Sequence, residues 1–126
     1  MRIIYPHKSL TEKIISASIE VHRHLGPAYH ESIYQRALAE ELSVRQISYE
    51  KEKPIDVSYK GTVVGKYQLD FLVAEEVVVE LKAVETLSDV HLSQMLSYLS
   101  ATSKKVGLLI NFAQLRLVDG IKRVIQ

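Results

Sequence analysis

Three charged residues stand in the most apolar part of this sequence. Asp70 lies within the run Leu-Asp-Phe-Leu-Val, and Glu80 and Lys82 interrupt a run of valine, leucine and alanine. Side chains alternate between the two faces of a β-strand, so Glu80 and Lys82 should point to the same face. If the turn between the two runs is centred on Glu75, Asp70 lies directly opposite Glu80, with Cβ atoms about 5 Å apart.

This arrangement has two interpretations. Two neighbouring carboxylates disfavour each other's charge, and partial burial makes the effect stronger. A divalent cation removes the conflict, because hard cations such as Mg²⁺ bind carboxylate oxygens together with water and substrate phosphate. Alternatively, Lys82 simply pairs with Glu80 or Asp70 near a strand end. Spacing alone leaves both open, since acid–base pairs two residues apart on a strand are not rare.

A third acid, Glu31, lies at the end of an apolar helical stripe that includes Tyr34 and Leu38. It could extend the acidic site from a neighbouring helix. It could equally be a glutamate in the first turn of a helix, where the helix dipole favours negative charge.

Other polar residues are less specific signals. Gln94 and Tyr98 are one turn apart on a later helical segment, with His91 on the same side, which alone is typical of a solvated boundary. The three histidines near the junction of the first two helices match no strong zinc pattern. We interpret His22 as a partly buried structural residue and His24 as a surface residue.

Hydrophobic periodicity predicts the elements that must position these residues. The predicted helices span residues 10–25, about 30–44, and from a cap at Thr86 or Ser88 to about 102. The predicted strands lie between Ser48 and Tyr59 and over residues 63–73, 77–84 and 105–112, followed by short strands over 115–118 and 121–125 around a turn at Gly120.

The order of these elements predicts an α/β fold. The first three strands follow one another through turns and should be antiparallel, whereas the strands at 77–84 and 105–112 are joined by a helix and should be parallel. The result is a mixed β-sheet flanked by helices, in the order ααβββαβ plus short C-terminal strands. A second apolar stripe on the first helix, formed by Ile15, Ile19 and His22, suggests a homodimer.

Composition narrows the class of protein. A chain of 126 residues predicts a single domain over residues 1–126, with ordinary globular composition. The absence of cysteine excludes disulfides and thiolate metal sites. No apolar run reaches the roughly 18 residues of a membrane span, and the first ten residues do not resemble a secretory signal. We therefore expect a cytoplasmic protein. With a net charge of +1, any DNA contact must be local, or must combine two patches in a dimer.

In their order along the chain, these residues resemble the PD-(D/E)xK nuclease superfamily. The pattern is a helix glutamate, an aspartate on the second strand, Glu-Leu-Lys on the third strand and Gln-x-x-x-Tyr on the next helix. Here it comprises Glu31, Asp70, Glu80 to Lys82, Gln94 and Tyr98. The last element resembles the RecB-like branch.

A closer resemblance is to the small bacterial and archaeal GxxExxY proteins, and it covers nearly the whole chain. The name motif corresponds to Glu31-Ser-Ile-Tyr34, with Ala28 in place of its opening glycine. Leu69 stands where the superfamily has a proline. The other similar stretches are Glu20-Val-His-Arg-His-Leu-Gly-Pro, Tyr67-Gln-Leu-Asp-Phe-Leu-Val, Val79-Glu-Leu-Lys-Ala-Val and Gly107-Leu-Leu-Ile-Asn-Phe.

The resemblance implies a restriction-endonuclease-like fold and metal-dependent hydrolysis of phosphodiester bonds, with DNA favoured over RNA. It implies that Asp70, Glu80 and the Leu81 carbonyl bind Mg²⁺ or Mn²⁺. Glu31 would reach the metal through a water or complete a second site. Lys82 would orient the attacking water or stabilise transition-state charge.

The resemblance gives the remaining motif residues supporting roles. Gln94, Tyr98 and Tyr34 would position the substrate or hold the active-site helix. The main alternative is a catalytically silent nuclease-fold module that binds nucleic acid or a protein partner. A second alternative is a purely structural oligomer.

Overall fold

The computed structural model describes residues 5–126. Residues 1–4, part of the segment that we expect not to be a secretory signal, lie outside the described residues. The helices are α1 (Lys8–Leu25), α2 (Glu31–Val44) and α3 (Asp89–Thr102). The strands are β1 (Tyr49–Tyr59), β2 (Thr62–Val73), β3 (Val77–Lys82), β4 (Val106–Asn111) and β5 (Ile121–Ile125). Over residues 5–126, no helix is both long enough and apolar enough to cross a membrane.

The five strands form one mixed sheet in the order β1-β2-β3-β4-β5. β3 and β4, which are joined through α3, are parallel, and the other neighbouring strands are antiparallel. The predicted α/β fold with a mixed sheet and flanking helices is therefore confirmed. The parallel pairing of the two strands around α3 is confirmed as well.

The predicted strand at residues 115–118 is wrong. Leu115 is exposed, and the chain forms a short 3₁₀ helix, Leu117–Gly120, before β5. Gly120 passes so close to β4 that a Cβ atom there would lie 2.6 Å from the Asn111 carbonyl oxygen. This tight passage directs the chain into β5, and the strand predicted at residues 121–125 is confirmed.

The core lies on both faces of the sheet. On one face, α1 and α2 pack on residues such as Phe71 and Val79. On the other face, α3 packs on residues such as Leu72 and Val78. Because β3 contributes to both clusters, its side chains are buried on either side of the sheet, as the β-branched run predicts.

Helix α1 begins at Lys8, two residues before the predicted start. Its inner face buries Ile14, Ala17 and Val21, but Ile19 on the second apolar stripe is 40% exposed. His22 donates from Nε2 to the Gln114 carbonyl at 2.8 Å, which agrees with a structural role. His24 is exposed, as predicted.

Strands β1 and β2 both change face partway along their length. Tyr49 and Ile55 are six residues apart, so a regular strand would place them on one face. Instead Tyr49 packs with the α1–α2 cluster and Ile55 with the α3 cluster. On β2, Phe71 and Leu69 are divided between the two faces in the same way.

The change of face occurs at Glu52 and Asp70. Regular pairing of β1 with β2 includes Lys51 with Phe71 and Lys53 with Leu69, but it omits the position between them. At that position Glu52 has φ +55°, in the left-handed region that residues with a Cβ atom rarely adopt. This distortion interrupts the ladder at Asp70.

Candidate active site

The ladder between β2 and β3 ends next to the two strand acids. Main-chain pairing runs from Val73 with Val77 to Phe71 with Val79, so Asp70 and Glu80 occupy the next level. There the main-chain N–H of Asp70 donates to Oε2 of Glu80 at 2.7 Å. The N–H of Leu81 donates to Oδ2 of Asp70 at 2.8 Å. Each carboxylate thus binds the main chain of the opposite strand. We call the point where main-chain pairing between β2 and β3 ends, at Asp70 and Glu80, the fork.

Glu80 is the more strongly perturbed of the two acids. It is 5% exposed, and burial, followed by the nearby charge of Asp70, raises the pKa of Glu80 to about 8. Burial also raises the pKa of Asp70, although the hydrogen bond from Leu81 opposes the effect. Glu52, across the distorted ladder, raises the pKa of Asp70 further. Without a cation the pair therefore carries less than its full double charge at neutral pH.

Helix α2 brings a third acid to the fork at its first residue. Burial of the carboxyl group raises the pKa of Glu31, Lys82 opposes this effect, and Asp70 adds to it. One turn further along α2, Nε2 of Gln35 lies 3.5 Å from Oδ1 of Asp70. A cleft of about 250 Å³ is lined by Glu31, Ser32, Gln35, Asp70 and Leu81. Glu31 therefore interacts electrostatically with the strand acids. Its role is not confined to a favourable interaction with the dipole of α2.

Lys82 lies close to all three acids without pairing with any. Its charge lowers the pKa values of Asp70, Glu80 and Glu31. Within the described part of the chain, however, it forms no salt bridge with them. The structure therefore does not support the alternative in which Lys82 simply pairs with Asp70 or Glu80. The ammonium group can still approach a bound anion.

Helix α3 approaches the fork from the other face of the sheet. Tyr98 is 7% exposed, and burial raises its pKa to about 12, with Glu80 the largest contribution from a charged group. The Tyr98 ring packs beside Tyr67, with centroids 5.5 Å apart. Gln94 is half-buried one turn earlier. His91 does not join this set, because its Nδ1 accepts a hydrogen bond from the Ser88 N–H in a capping box.

Tyr34 lies outside the cleft, in the core. It is fully buried, and its ring stacks on Phe112 with centroids 4.4 Å apart. Its hydroxyl donates to the Gly26 carbonyl and accepts from the Tyr29 N–H at 3.1 Å. Tyr34 therefore holds the loop that leads into α2. In that loop Gly26 has φ +77°, whereas Ala28 is not among the residues with positive φ, so an alanine is accommodated there.

Asn111 fixes the segment that follows Lys82. It is fully buried, its Nδ2 donates to the Val84 carbonyl at 2.7 Å, and its Oδ1 accepts from the Val84 N–H at 3.1 Å. These bonds replace strand pairing, so β3 ends at Lys82 and not at residue 84 as predicted. The route from β3 to α3 is set by this amide.

Sequence reasoning missed three residues at the fork. Gln35 could have been found, because it lies one helical turn after Glu31. Glu52 gave no signal, since it stands among alternating charges that are typical of a solvated strand. Tyr67 also gave none, because its proximity to Tyr98 depends on the change of face in β2.

The donor set fits a hard divalent cation. Carboxylate oxygens are the ligands that such ions prefer. Burial is the largest cause of the raised pKa values of Asp70, Glu80 and Glu31, and a bound cation would favour their ionised forms. No group of three or more histidine or acidic side chains within residues 5–126 is arranged to hold an ion alone. Water and phosphate oxygens would have to complete the coordination, as is usual for Mg²⁺.

A larger hollow of about 470 Å³ lies between β1 and the C-terminal end of α3. Its lining includes Lys53, Leu69 and Thr102 but none of the three acids of the fork. We therefore locate the candidate site by its chemistry and not by cavity size.

Comparison with known proteins gives one match. A family model described as the PD-(D/E)XK nuclease superfamily matches residues 8–124. No curated protein and no solved structure matches the chain. The matched region contains Glu31, Asp70, Glu80 and Lys82.

Proposed function

Since the chain belongs to the PD-(D/E)XK nuclease superfamily, we propose that it is a metal-dependent nuclease that hydrolyses phosphodiester bonds of nucleic acid. The observation that supports this proposal best is the fork at Asp70 and Glu80. Two carboxyl groups with raised pKa values face each other there, and the nearby Lys82 forms no salt bridge within residues 5–126. Such a pair of carboxyl groups lowers the stability of the ligand-free protein. It is expected at a functional site, where a bound ligand offsets that loss.

In this proposal Asp70, Glu80 and the Leu81 carbonyl would bind Mg²⁺ or Mn²⁺, and Glu31 would contribute through a water. A divalent ion held there would polarise the phosphate and lower the pKa of a bound water. Gln35 keeps Asp70 in place through its contact with Oδ1.

Lys82 supplies the positive charge that the reaction needs. It orients the attacking water or stabilises the charge that develops on the phosphate in the transition state. Gln94 and Tyr98 position the phosphate or hold α3 against the fork. Tyr34 acts indirectly, through the loop that places Glu31.

We further propose that the chain belongs with the GxxExxY proteins in the RecB-like branch and acts on DNA in preference to RNA. Glu31-Ser-Ile-Tyr34 and the Gln94–Tyr98 pair support this assignment. Because the net charge is only +1, a homodimer that combines two binding patches would help to hold a polyanion.

A cleavage screen tests the proposal. Labelled single-stranded, double-stranded and branched DNA, and RNA of the same sequences, are incubated with the protein and Mg²⁺, Mn²⁺ or chelator. We expect cleavage with a metal ion and none with chelator. Asp56 is an acid on the β1–β2 hairpin and pairs with Lys66. Asp56→Asn is therefore the matched control for Asp70→Asn. Binding of nucleic acid without cleavage of any substrate would instead indicate a catalytically silent binding module.

A further inference from the structure

An exposed aromatic side chain stands beside the acidic fork. Tyr67 is 52% exposed on β2, three residues before Asp70. At roughly 3.3 Å per strand residue, that separation is about 10 Å. Its ring lies against Tyr98 at a tilt of 53°, and Tyr98 in turn lies near enough to Glu80 for that charge to raise the pKa of the phenol.

The same distortion that interrupts the ladder at Asp70 places Tyr67 on this face. If β2 alternated regularly, Tyr67 would share a face with Phe71 and point towards α1 and α2. The change of face at Asp70 instead puts Leu69 and Tyr67 on the α3 side. The irregularity therefore places the exposed Tyr67 ring on the α3 side, against Tyr98, which senses the charges of Glu80 and Asp70.

We propose that Tyr67 is a stacking subsite for an unpaired nucleobase next to the scissile phosphate, so that the substrate is single-stranded or locally unpaired nucleic acid. The inference rests on the proposed nuclease function. Stacking of a base on an aromatic side chain contributes about 1–3 kcal/mol whatever the base. A base inside a duplex is already stacked and paired, so only an unpaired base can reach the ring without loss of those contacts.

Part of the positive charge near the fork is already paired with carboxylates. The net charge is +1, and the cleft itself carries carboxyl groups that repel phosphate. On the neighbouring hairpin, Lys66 pairs with Asp56 at 2.9 Å and Lys53 with Glu50 at 2.7 Å. Pairing reduces what these two lysines contribute through counterion release, and a stacking contact would add binding free energy that does not depend on charge.

A fluorescent variant tests the contact directly. The chain contains no tryptophan, so Tyr67→Trp introduces a single reporter. It is made in a Lys82→Ala background, which prevents turnover in the proposed mechanism, and is titrated with a single-stranded DNA oligonucleotide and Mg²⁺. We expect quenching by the single strand and little by a blunt duplex of the same sequence. Tyr59→Trp is the matched control, because Tyr59 is 63% exposed near the end of β1, and we expect no quenching there.

Substitution gives a second readout. Tyr67→Phe keeps the ring, so it should bind single strands more tightly than Tyr67→Ser does. Tyr67→Ser should weaken single-strand binding by about 5-fold to 150-fold, the equivalent of 1–3 kcal/mol, whereas Tyr59→Ser should have no effect. Because Tyr67 is exposed, we expect each variant to fold, and far-UV circular dichroism checks this.

The outcomes separate the two proposals. An unquenched tryptophan at position 67, equal quenching by the duplex, or wild-type affinity in Tyr67→Ser would overturn the stacking subsite, even if the wild type cleaves DNA. Quenching by the single strand, together with a wild type that never cleaves, would support the subsite and overturn the nuclease function.

Discussion

The main-chain N–H of Asp70 donates to the carboxylate of Glu80 at 2.7 Å, at the level where the β2–β3 ladder would otherwise form its next pair. A side chain thus replaces a main-chain acceptor, and a carboxyl group is held in a nearly buried position. The burial of this carboxyl group has consequences for stability that can be measured.

The metal-free protein should lose stability as the pH rises from about 5 to 8. The pKa of Glu80 is raised from 4.5 to about 8 in the folded state, so the folded protein binds more protons than the unfolded chain in this range. The stability that this proton confers is fully present below pH 4.5 and is lost as the pH rises through 8. Glu31 and Asp70, whose pKa values are also raised, act in the same direction.

Glu80→Gln should remove most of that slope, because the amide oxygen still accepts from Asp70 but does not ionise. We expect it to raise the free energy of unfolding at pH 8 by at least about 1.4 kcal/mol, the equivalent of one pKa unit. Urea unfolding in chelator at several pH values measures both quantities. Glu75→Gln, on the exposed turn before β3, is the control. If the free energy of unfolding depends on pH equally in the wild type and in Glu80→Gln, Glu80 is not the group with the raised pKa.

A divalent cation should restore stability to the wild type. Binding to the native state alone adds about 2.7 kcal/mol at a hundredfold excess over Kd. The increase in Tm with Mn²⁺ or Mg²⁺ should be larger at pH 8 than at pH 6, because the carboxyl groups must ionise to bind the ion. Asp70→Asn should abolish the increase, and Asp56→Asn should keep it. A shift of the same size in Asp70→Asn would exclude Asp70 as a ligand.

The left-handed conformation of Glu52 should be necessary for the position of Asp70. Glu52→Gly fits φ +55° without strain, so we expect unchanged or slightly higher stability and an intact response of Tm to metal. Glu52→Val is β-branched and resists this conformation, so it should destabilise the fold by about 1–3 kcal/mol and weaken the response to metal. Glu52→Gln separates the effect of charge from that of the backbone. If valine and glycine behave alike in thermal melts with and without Mn²⁺, the backbone at Glu52 has no such role.

A homodimer should form through the outer face of α1. Ile19 is 40% exposed and Val118 is 48% exposed, and both line a hollow of about 370 Å³ between α1 and the 3₁₀ helix. Light scattering at micromolar concentration should give twice the mass of the 126-residue chain, and Ile19→Glu should reduce it to that of the monomer. Val44→Glu, at an exposed position at the end of α2, should not. A monomeric wild type would reject the dimer.

The fold could be predicted from the sequence because its signals are local. The apolar periodicity of the helices and the β-branched run at residues 77–84 depend on near neighbours only. The opposition of Asp70 and Glu80 followed from one assumption, a turn centred on Glu75. The observed pairing of Val73 with Val77 has that same centre.

The features that sequence reasoning missed depend on distant contacts. Leu115 and Val118 suggested a strand, but the chain forms a 3₁₀ helix that brings Gly120 close to Asn111. The change of face at Glu52 involves two strands at once and leaves no hydrophobic pattern among exposed charges. Without it, neither the contact of Tyr67 with Tyr98 nor the coupling of Glu52 to Asp70 could be inferred.

The most direct test of the nuclease account measures cleavage and nucleic-acid affinity on Lys82→Ala over a series of salt concentrations. Lys105→Ala, an exposed lysine just before β4, is the control. Because Lys82 acts on the transition state in our account, its removal should abolish cleavage and leave affinity and its salt dependence nearly unchanged. A wild type that binds but never cleaves, with a Lys82→Ala variant that binds more weakly and has a salt slope smaller by about one unit, would contradict the account and identify Lys82 as a phosphate contact in a binding module.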